Sequence, residues 1–259
     1  MKYIKLFLIL LKINFLREME YRINFIAVLI PAGFYCLGYT LMIWTILNKV
    51  PNIAGWNFSQ MLMLFSVGQF SYYLTWVLYR VSLDYFPLSI KKGDFDSIVK
   101  QPVSTRFMVS FLKQRIDVSV PMIGAVLIFA YAVSVFGVNF TNLFLFFLLL
   151  ISGEIILYNF MFTAASLSFW IIEIDGLISL IDDVVGYGSY PLSIFPGPVA
   201  IFLTLIVPAI IIVYVPATAF MGILDWKLGF LSGMMVFVSW FVSQKIWHAG
   251  LRRYSSASS

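Results

Sequence analysis

Residues 141–172, TNLFLFFLLLISGEIILYNFMFTAASLSFWII, carry one charged side chain, that of Glu154. A helix crosses the bilayer core, which is about 30 Å thick, with about 20 apolar residues, so this stretch is long enough to span it while tilted. The whole chain is 61% apolar and 11% charged, with a mean hydropathy of +0.95. Soluble domains carry about 25% charged residues. The sequence therefore predicts an all-α integral membrane protein.

Other apolar stretches of similar length lie on both sides of this one. Together they predict about six transmembrane helices in a single domain, residues 1–254, followed by a disordered tail at 255–259. The clearest of them are residues 23–47, 58–79, 116–136 and 228–247.

Lysine and arginine residues concentrate in three parts of the chain, residues 2–22, 80–115 and 245–253, and only Lys49 and Lys227 lie elsewhere. Basic loops are retained on the cytoplasmic side of a membrane. Both termini and the central loop are therefore expected in the cytoplasm, and the loops around Lys49 and Lys227 outside. This bias also explains the net charge of +5 without a nucleic-acid partner.

The N-terminal segment, residues 1–22, is apolar but repeatedly interrupted by charge. Lys2, Lys5 and Lys12 fall close together on a helical wheel, and no small-residue cleavage site follows the apolar part. The pattern predicts an amphipathic helix on the cytoplasmic membrane surface. A retained signal anchor is the alternative.

Residues 177–226 are rich in proline and glycine and must contain one crossing, because both termini are expected on the same side. One alternative is a crossing at 177–195 followed by a re-entrant outer hairpin at 196–220. The other is an inner surface helix at 177–193 with the crossing at 198–220. Broken backbone at membrane depth is tolerated only where protein or water covers it. Hydropathy does not choose between the two.

The cytoplasmic loop, residues 80–113, contains the distinctive sequence IKKGDFDSIVKQPV at 90–103. Gly93 ends the preceding segment, either Asp94 or Asp96 is expected to cap a short helix, and Pro102 stops it. The apolar face of that helix would consist of Phe95, Ile98 and Val99. Such a helix suits docking into a groove on a cytoplasmic partner. An ordinary solvated loop is the alternative.

This loop resembles the G-x-[LF]-D-x-x-[LV]-x-x-P segment of the type-2 ABC exporter permeases, in particular a subgroup of six-span permeases of about this length. Two later stretches are similar to that subgroup as well. Residues 190–196, YPLSIFP, resemble its YP-x-x-I-[FY] run, and Pro208 with residues 214–217, YVPA, resembles its P…Y-x-P-A run. The resemblance covers essentially the whole chain.

The resemblance implies a membrane-spanning permease that forms half of the translocation pathway of an ATP-driven exporter. Residues 1–22 would be a connecting helix, the fifth span would lie near 177–195, and the hairpin near 196–220 would line the outer exit. An outer gate would be formed by Pro196, Pro208 and Pro216. Docking on the ATPase would involve Gly93, Asp94, Phe95, Asp96, Ile98, Val99 and Pro102.

The same resemblance implies the partners and the location. Two copies of an ABC ATPase subunit would bind ATP and Mg²⁺, and a second copy of this permease or a related permease would complete the pathway. The expected location is the lipid bilayer of a bacterial cytoplasmic (inner) membrane, with several spans and both termini in the cytoplasm.

No G-x-x-x-x-G-K-[ST] phosphate-binding loop occurs in the sequence, so the chain itself is not expected to be an ATPase or to hold a cofactor. Cys36 is the single cysteine and His248 the single histidine, so no catalytic or metal site is expected. An ion-driven carrier is the first alternative function. An intramembrane enzyme that uses Glu154 is the second.

Polar residues within the spans are candidates for lining the pathway, because ionisable groups at membrane depth are costly unless paired or hydrated. Glu154, Asn159 and Gln69 are the candidates, and hydrogen bonds within the helix bundle are the alternative. The neighbouring carboxylates Asp182 and Asp183 are expected to pair with basic residues at the inner surface, and a bound cation is the alternative.

Overall fold

The computed structural model describes residues 2–20, 23–171, 174 and 176–254. For Asn24 and Phe25 it describes the backbone only. The expected disordered tail, residues 255–259, lies outside the described residues, as do Glu173 and Asp175. Over the described ranges the chain is helical, with no β-strand beyond one isolated bridge in a loop. The prediction of an all-α fold is confirmed.

The helices follow one another with short connections. In chain order they are α1 Lys2–Met19, α2 Ile23–Leu47, α3 Phe58–Lys92, α4 Phe95–Val99, α5 Thr105–Phe111, α6 Ser119–Phe136, α7 Phe140–Phe169, α8 Leu177–Gly186, α9 Gly197–Ile206, α10 Ile210–Phe220 and α11 Trp226–Arg253.

Five of the described helices, α2, α3, α6, α7 and α11, are long and apolar enough to cross a membrane. The pair α9–α10 reaches the same hydropathy only when taken together, and it is bent by 77° between Ile206 and Ile210. The described part of the chain therefore contains five candidate spans, or six if the bent pair counts as one. This is the architecture of a multi-pass membrane protein.

Helix α3 is longer than the sequence pattern indicated. The second span was expected to end at Tyr79, with a loop from Arg80, but the helix continues to Lys92 through a π-helical turn at Trp76–Arg80. It ends at Gly93, whose φ of 79° is in the left-handed region that favours glycine. The expectation was wrong because Arg80 is not a solvated loop charge but a buried side chain with acidic partners.

Helix α1 lies along α5. The ring of Tyr3 is 5.2 Å from that of Phe107, and the ring of Phe7 is 5.4 Å from that of Phe111. Asn14 is buried and donates a hydrogen bond to a backbone carbonyl just after α5. Several apolar residues on its other side stay exposed, among them Ile4, Leu8, Ile13 and Leu16.

Residues 177–194 run antiparallel to α3 along most of its length. The segment is not one regular helix, since two short 3₁₀ turns, Tyr187–Ser189 and Leu192–Ile194, follow α8 on either side of Pro191. The contacts, in chain order, are Ser179 with Arg80, Ser189 with Gly68 and Ser193 with Ala54.

The bent pair α9–α10 returns to the end of the bundle from which it starts. Its tip at Ala209 rests on Gly188, and the next turn, at Ile212, rests on Gly153 in the middle of α7. From there α10 runs antiparallel to α7 until Asn142, near the start of α7, donates a hydrogen bond to the backbone of Phe220. The pair thus enters the bundle to about half its depth and leaves at the same end.

Candidate functional site

A cavity of about 960 Å³ lies between α2, α3 and the segment that begins in α8. Eight aromatic side chains belong to its wall, and Gln69 on α3 contributes an amide group. Six tyrosines belong to this wall: Tyr35, Tyr39, Tyr72, Tyr73, Tyr187 and Tyr190. We call this space the tyrosine cavity.

The aromatic side chains are packed so that they present both ring faces and hydroxyl groups. Tyr39 stacks on Phe65 with ring centroids 3.8 Å apart, and its hydroxyl has no hydrogen-bond partner among the described residues. Tyrosine combines a large apolar surface with a polar tip. Such a wall offers both apolar surface and hydrogen-bonding groups to a molecule in the cavity.

Charged residues close the end of the tyrosine cavity that lies near Arg80. Asp182 and Asp183 belong to its wall there, and Arg80 donates to Asp182 over 2.6 Å and to Ser179 over 3.1 Å. Arg80 also pairs with Asp84 on its own helix. The side chain of Arg80 is only 2% exposed. The expected pairing of the two aspartates with a basic residue therefore holds for Asp182.

Trp76 and Arg115 complete this end of the cavity. The guanidinium of Arg80 lies 5.1 Å from the centroid of the Trp76 ring, and that of Arg115 lies 5.4 Å from it. Arg115 in turn donates two hydrogen bonds to Asp117, over 2.9 and 2.7 Å. These bonds raise the pKa of Arg115, so the side chain remains charged.

Glu18 ties α1 to the same end of the bundle. One of its carboxylate oxygens accepts hydrogen bonds from the backbone N–H groups of Ile116 and Asp117, over 2.7 and 2.8 Å. Partial burial raises the pKa of Glu18, and the two backbone bonds oppose that shift. Helix α1 is thereby fixed to the entry of α6.

Of the three predicted pathway residues, the structure places only Gln69 in the wall of the tyrosine cavity. Asn159 lies elsewhere and accepts a hydrogen bond from Arg106 over 3.0 Å. Glu154 is turned towards α3, where Ser71 and Tyr79 face it. For these two residues a role in lining the pathway stays a prediction, and in this structure their side of α7 packs against other helices of the bundle.

The three prolines predicted for the outer gate occupy different positions. Pro196 is exposed and precedes α9, Pro208 is buried at the tip of the bent pair, and Pro216 is buried within α10. None of them lies in the wall of the tyrosine cavity. Their role as a gate stays a prediction.

Two residues of the short helix α4 that were predicted to contact the ATPase pack instead against the rest of this chain. The ring of Phe95 is 0% exposed and packs at 5.3 Å from Phe86 and 4.9 Å from Tyr254, and Ile98 is also buried. Phe95 and Ile98 are therefore corrected from partner contacts to internal anchors, since the cluster that α3 and α11 form here covers them. Val99 points outward and is 45% exposed.

The two carboxylates near the start of α4 accept hydrogen bonds from tyrosine hydroxyl groups. Asp94 occupies the N-cap position but makes no side-chain capping bond, and it accepts a hydrogen bond from Tyr85 over 2.7 Å. Asp96 accepts one from Tyr254 over 2.7 Å. Burial and this bond raise the pKa of Tyr254 to about 12. The expected cap by Asp94 is wrong because Tyr85 takes its carboxylate.

The exposed part of this loop forms a small surface next to α1. Asp94, Val99 and Pro102 are exposed there and Gly93 is partly exposed, while Lys2 donates a hydrogen bond to the carbonyl of Pro102 over 3.2 Å. We call residues 91–102 the loop surface. Of the predicted docking set, Phe95 and Ile98 are buried, and the other five residues, Asp96 included, remain at least partly accessible to a partner.

Sequence reasoning missed most of the tyrosine cavity. Tyr35 and Tyr39 lie within an apolar span, and Tyr187 lies in the proline-rich segment; none of the three was singled out, and Tyr190 was noted only as part of the 190–196 motif. Their position in the interior of spans, away from the interfacial ends where tyrosines usually anchor, was the available signal.

Residues 34–258 match a family described as ABC-2 family transporter protein. No match was found among curated proteins or among solved structures. Members of this family are membrane subunits for transport and not themselves ATPases. The match covers most of the chain, including the loop surface and all six tyrosines of the tyrosine cavity, so the chain belongs to the ABC-2 transporter family as a permease component.

Proposed function

We propose that this chain forms half of the translocation pathway of an ATP-driven exporter and couples to a separate ATPase subunit through the loop surface. One observation carries the proposal. Helix α3 places Gln69 in the wall of the tyrosine cavity and ends at the loop surface without a break. Its 35 residues extend about 52 Å, against about 40–45 Å for a bilayer with its headgroups, so its inner end projects from the membrane.

A movement of the loop surface would reach several helices at once. Phe95 contacts Phe86 on α3, Phe169 at the end of α7, and Tyr254 after α11. Packed side chains transmit displacement because protein interiors have few voids. A partner that pushes on α4 would therefore rock these three helices together and change the shape of the tyrosine cavity.

The path of the proline-rich segment, residues 177–226, supports a proposal for which part of it crosses the membrane and which part re-enters it. In this proposal residues 177–195 make the fifth crossing, and residues 196–220 form the re-entrant outer hairpin with Pro208 at its tip. The burial of Ala209 and of α10 supports this, because irregular backbone at membrane depth must be covered by protein. Movement of this hairpin would open the outer exit.

The proposal includes further partners. A second copy of this chain or a related permease would face the tyrosine cavity. Two ATPase copies would bind ATP and Mg²⁺. The chain would lie in the inner membrane of a bacterial cell, with both termini in the cytoplasm. The exposed apolar side of α2 supports a partner or lipid there. It includes Phe34, Leu37, Leu41 and Trp44.

The experiment is a comparison of two matched variants in a pull-down from the native membrane. Val99→Asp changes the loop surface, and Val138→Asp changes a valine of similar exposure at the turn between α6 and α7. The tagged wild type and Val138→Asp should recover a protein with a G-x-x-x-x-G-K-[ST] motif and ATP hydrolysis, and Val99→Asp should lose it.

Recovery of the ATPase by both variants would contradict docking at Val99. Failure of the folded wild type to recover any ATPase in several mild detergents would contradict the exporter assignment. The ion-driven carrier would then explain the fold better.

A further inference from the structure

The carboxyl group of Glu154 has no charged partner among the described residues. Both of its oxygens are buried and neither has a hydrogen-bond partner among the described residues. Ser71 on α3 faces the carboxyl group, and its hydroxyl likewise has no hydrogen-bond partner among the described residues. A buried, unpaired carboxylate at membrane depth is strongly disfavoured.

The helices that pack on α7 bring no basic group to Glu154. On α3 the titratable side chain that faces it is Tyr79, and Tyr158 lies one turn further along α7. The stretches of α10 and α11 that lie beside α7, residues 210–224 and 228–244, contain no Asp, Glu, Lys or Arg, and α8, which also packs on α7, carries only the acidic Asp182 and Asp183.

Arg80 and Arg106 both have other partners, although Nη1 of Arg106 has none among the described residues. Arg80 pairs with Asp182, and Arg106 donates to Asn159 and lies 4.3 Å from the centroid of the Phe162 ring. Neither forms an ion pair with Glu154. The charge of an ionised Glu154 would remain uncompensated in this conformation.

A proton is the ligand that fits this site. A metal ion needs space and several oxygen ligands, and Glu154 does not belong to the wall of the tyrosine cavity. A proton needs no volume, and a protonated carboxyl group can donate a hydrogen bond to the free hydroxyl of Ser71. We propose that Glu154 is a proton-binding site that is neutral in this conformation and exchanges its proton when α3 and α7 separate.

The position of Glu154 connects this exchange with transport. Leu157, one turn along α7, belongs to the wall of the tyrosine cavity, and so do Gln69 and Tyr72 on either side of Ser71. The seam between α3 and α7 therefore lies directly behind that wall. A change in the cavity that opens the seam would hydrate Glu154 and allow it to ionise. This part of the inference rests on the proposed function.

The first test measures protonation and needs neither transport nor an ATPase. Infrared spectra of the full chain in lipid nanodiscs, with ¹³C in the side-chain carboxyl of glutamate, separate the four glutamates, at positions 18, 20, 154 and 173, from the aspartates. At neutral pH the wild type should show a protonated-carboxyl band that is lost in Glu154→Gln. The exposed control, Glu20→Gln, should keep the band.

A wild type without the band at neutral pH, or a band that persists in Glu154→Gln, would overturn the inference. If Glu154→Gln fails to fold, modification of the wild type by dicyclohexylcarbodiimide tests whether Glu154 is protonated, because this reagent reacts with protonated carboxyl groups. Peptide mass spectrometry should then find the adduct on Glu154, decreasing as the pH rises. A folded wild type unmodified at Glu154 across the pH range would also overturn it.

The second test measures coupling in the complete transporter in nanodiscs. ATP hydrolysis by the wild-type complex should depend on pH, and Glu154→Gln should lose that dependence while Glu20→Gln keeps it. Unchanged pH profiles together with the infrared band would overturn the coupling and leave the proton site. Absence of any ATPase partner would overturn the proposed function and leave the infrared result intact.

Discussion

The guanidinium of Arg80 is held by groups from two parts of the chain. Asp84 lies one turn further along α3, and Asp182 and Ser179 belong to α8. A guanidinium that is 2% exposed must be compensated, because transfer of a charge from water is costly. This pair joins α3 to α8 at the end of the tyrosine cavity where Trp76 and Arg115 also lie.

Asp182→Asn should destabilise the fold, because it leaves a buried guanidinium with Asp84 as its remaining acidic partner. The expected loss is about 3 kcal/mol, the lower end of the range for a broken buried pair. The measurement is thermal unfolding of the purified chain in detergent, followed by the loss of monodisperse protein.

The matched control for this substitution is the neighbouring residue. Asp183 is exposed and has no partner among the described residues, so Asp183→Asn should change stability by less than about 0.5 kcal/mol. Equal effects of the two substitutions would show that the pair does not stabilise the bundle.

At the level of elements, the bent pair α9–α10 depends on two glycines. A Cβ atom on Gly188 would lie 2.2 Å from the carbonyl oxygen of Ala209, and one on Gly153 would lie 2.9 Å from that of Ile212. Backbone atoms cannot move aside as the end of a flexible side chain can. The close approach of backbones at these two positions therefore sets how deeply the pair enters the bundle.

Gly188→Ala should push the tip of the pair away from the segment that follows α8. The expected destabilisation is about 1–3 kcal/mol, the usual result of overpacking a well-filled interior. Protease accessibility of the 207–209 turn in the folded chain reports the displacement directly.

Gly186→Ala is the control for this prediction. A Cβ atom at Gly186 would meet nothing within 4 Å, although the residue lies only two positions away. Normal stability and protease resistance are expected for it. A Gly188→Ala protein that behaves in the same way would show that the tip is not held by this contact.

At the level of the whole molecule, the connections divide into two groups. The α2–α3 and α6–α7 connections lie at one end, as shown by the contact between Phe58 at the start of α3 and Tyr131 near the end of α6, 6.5 Å between ring centroids. The loop surface and the end of α11 at Tyr254 lie at the other. The basic residues of the loop surface predict that this second end is cytoplasmic.

Cysteine labelling in intact cells tests this orientation. In a Cys36→Ala background, a membrane-impermeant maleimide added outside should label Val138→Cys and leave Gln101→Cys unlabelled until the membrane is permeabilised. Both residues are exposed, so access to the reagent is set by the side of the membrane. Labelling of Gln101→Cys in sealed cells would reverse the orientation.

Composition and hydropathy alone determined that this chain is an all-α membrane protein, and short motifs such as the loop at 90–103 pointed to its family. Both are local properties, because burial in lipid acts on each segment separately. Only the tertiary structure decided that Phe95 is an internal anchor, that Arg80 is paired with Asp182, and that Gln69 lines a cavity while Glu154 does not. These outcomes depend on how each helix is rotated and on contacts between residues about 100 positions apart, such as Arg80 and Asp182, which hydropathy does not encode.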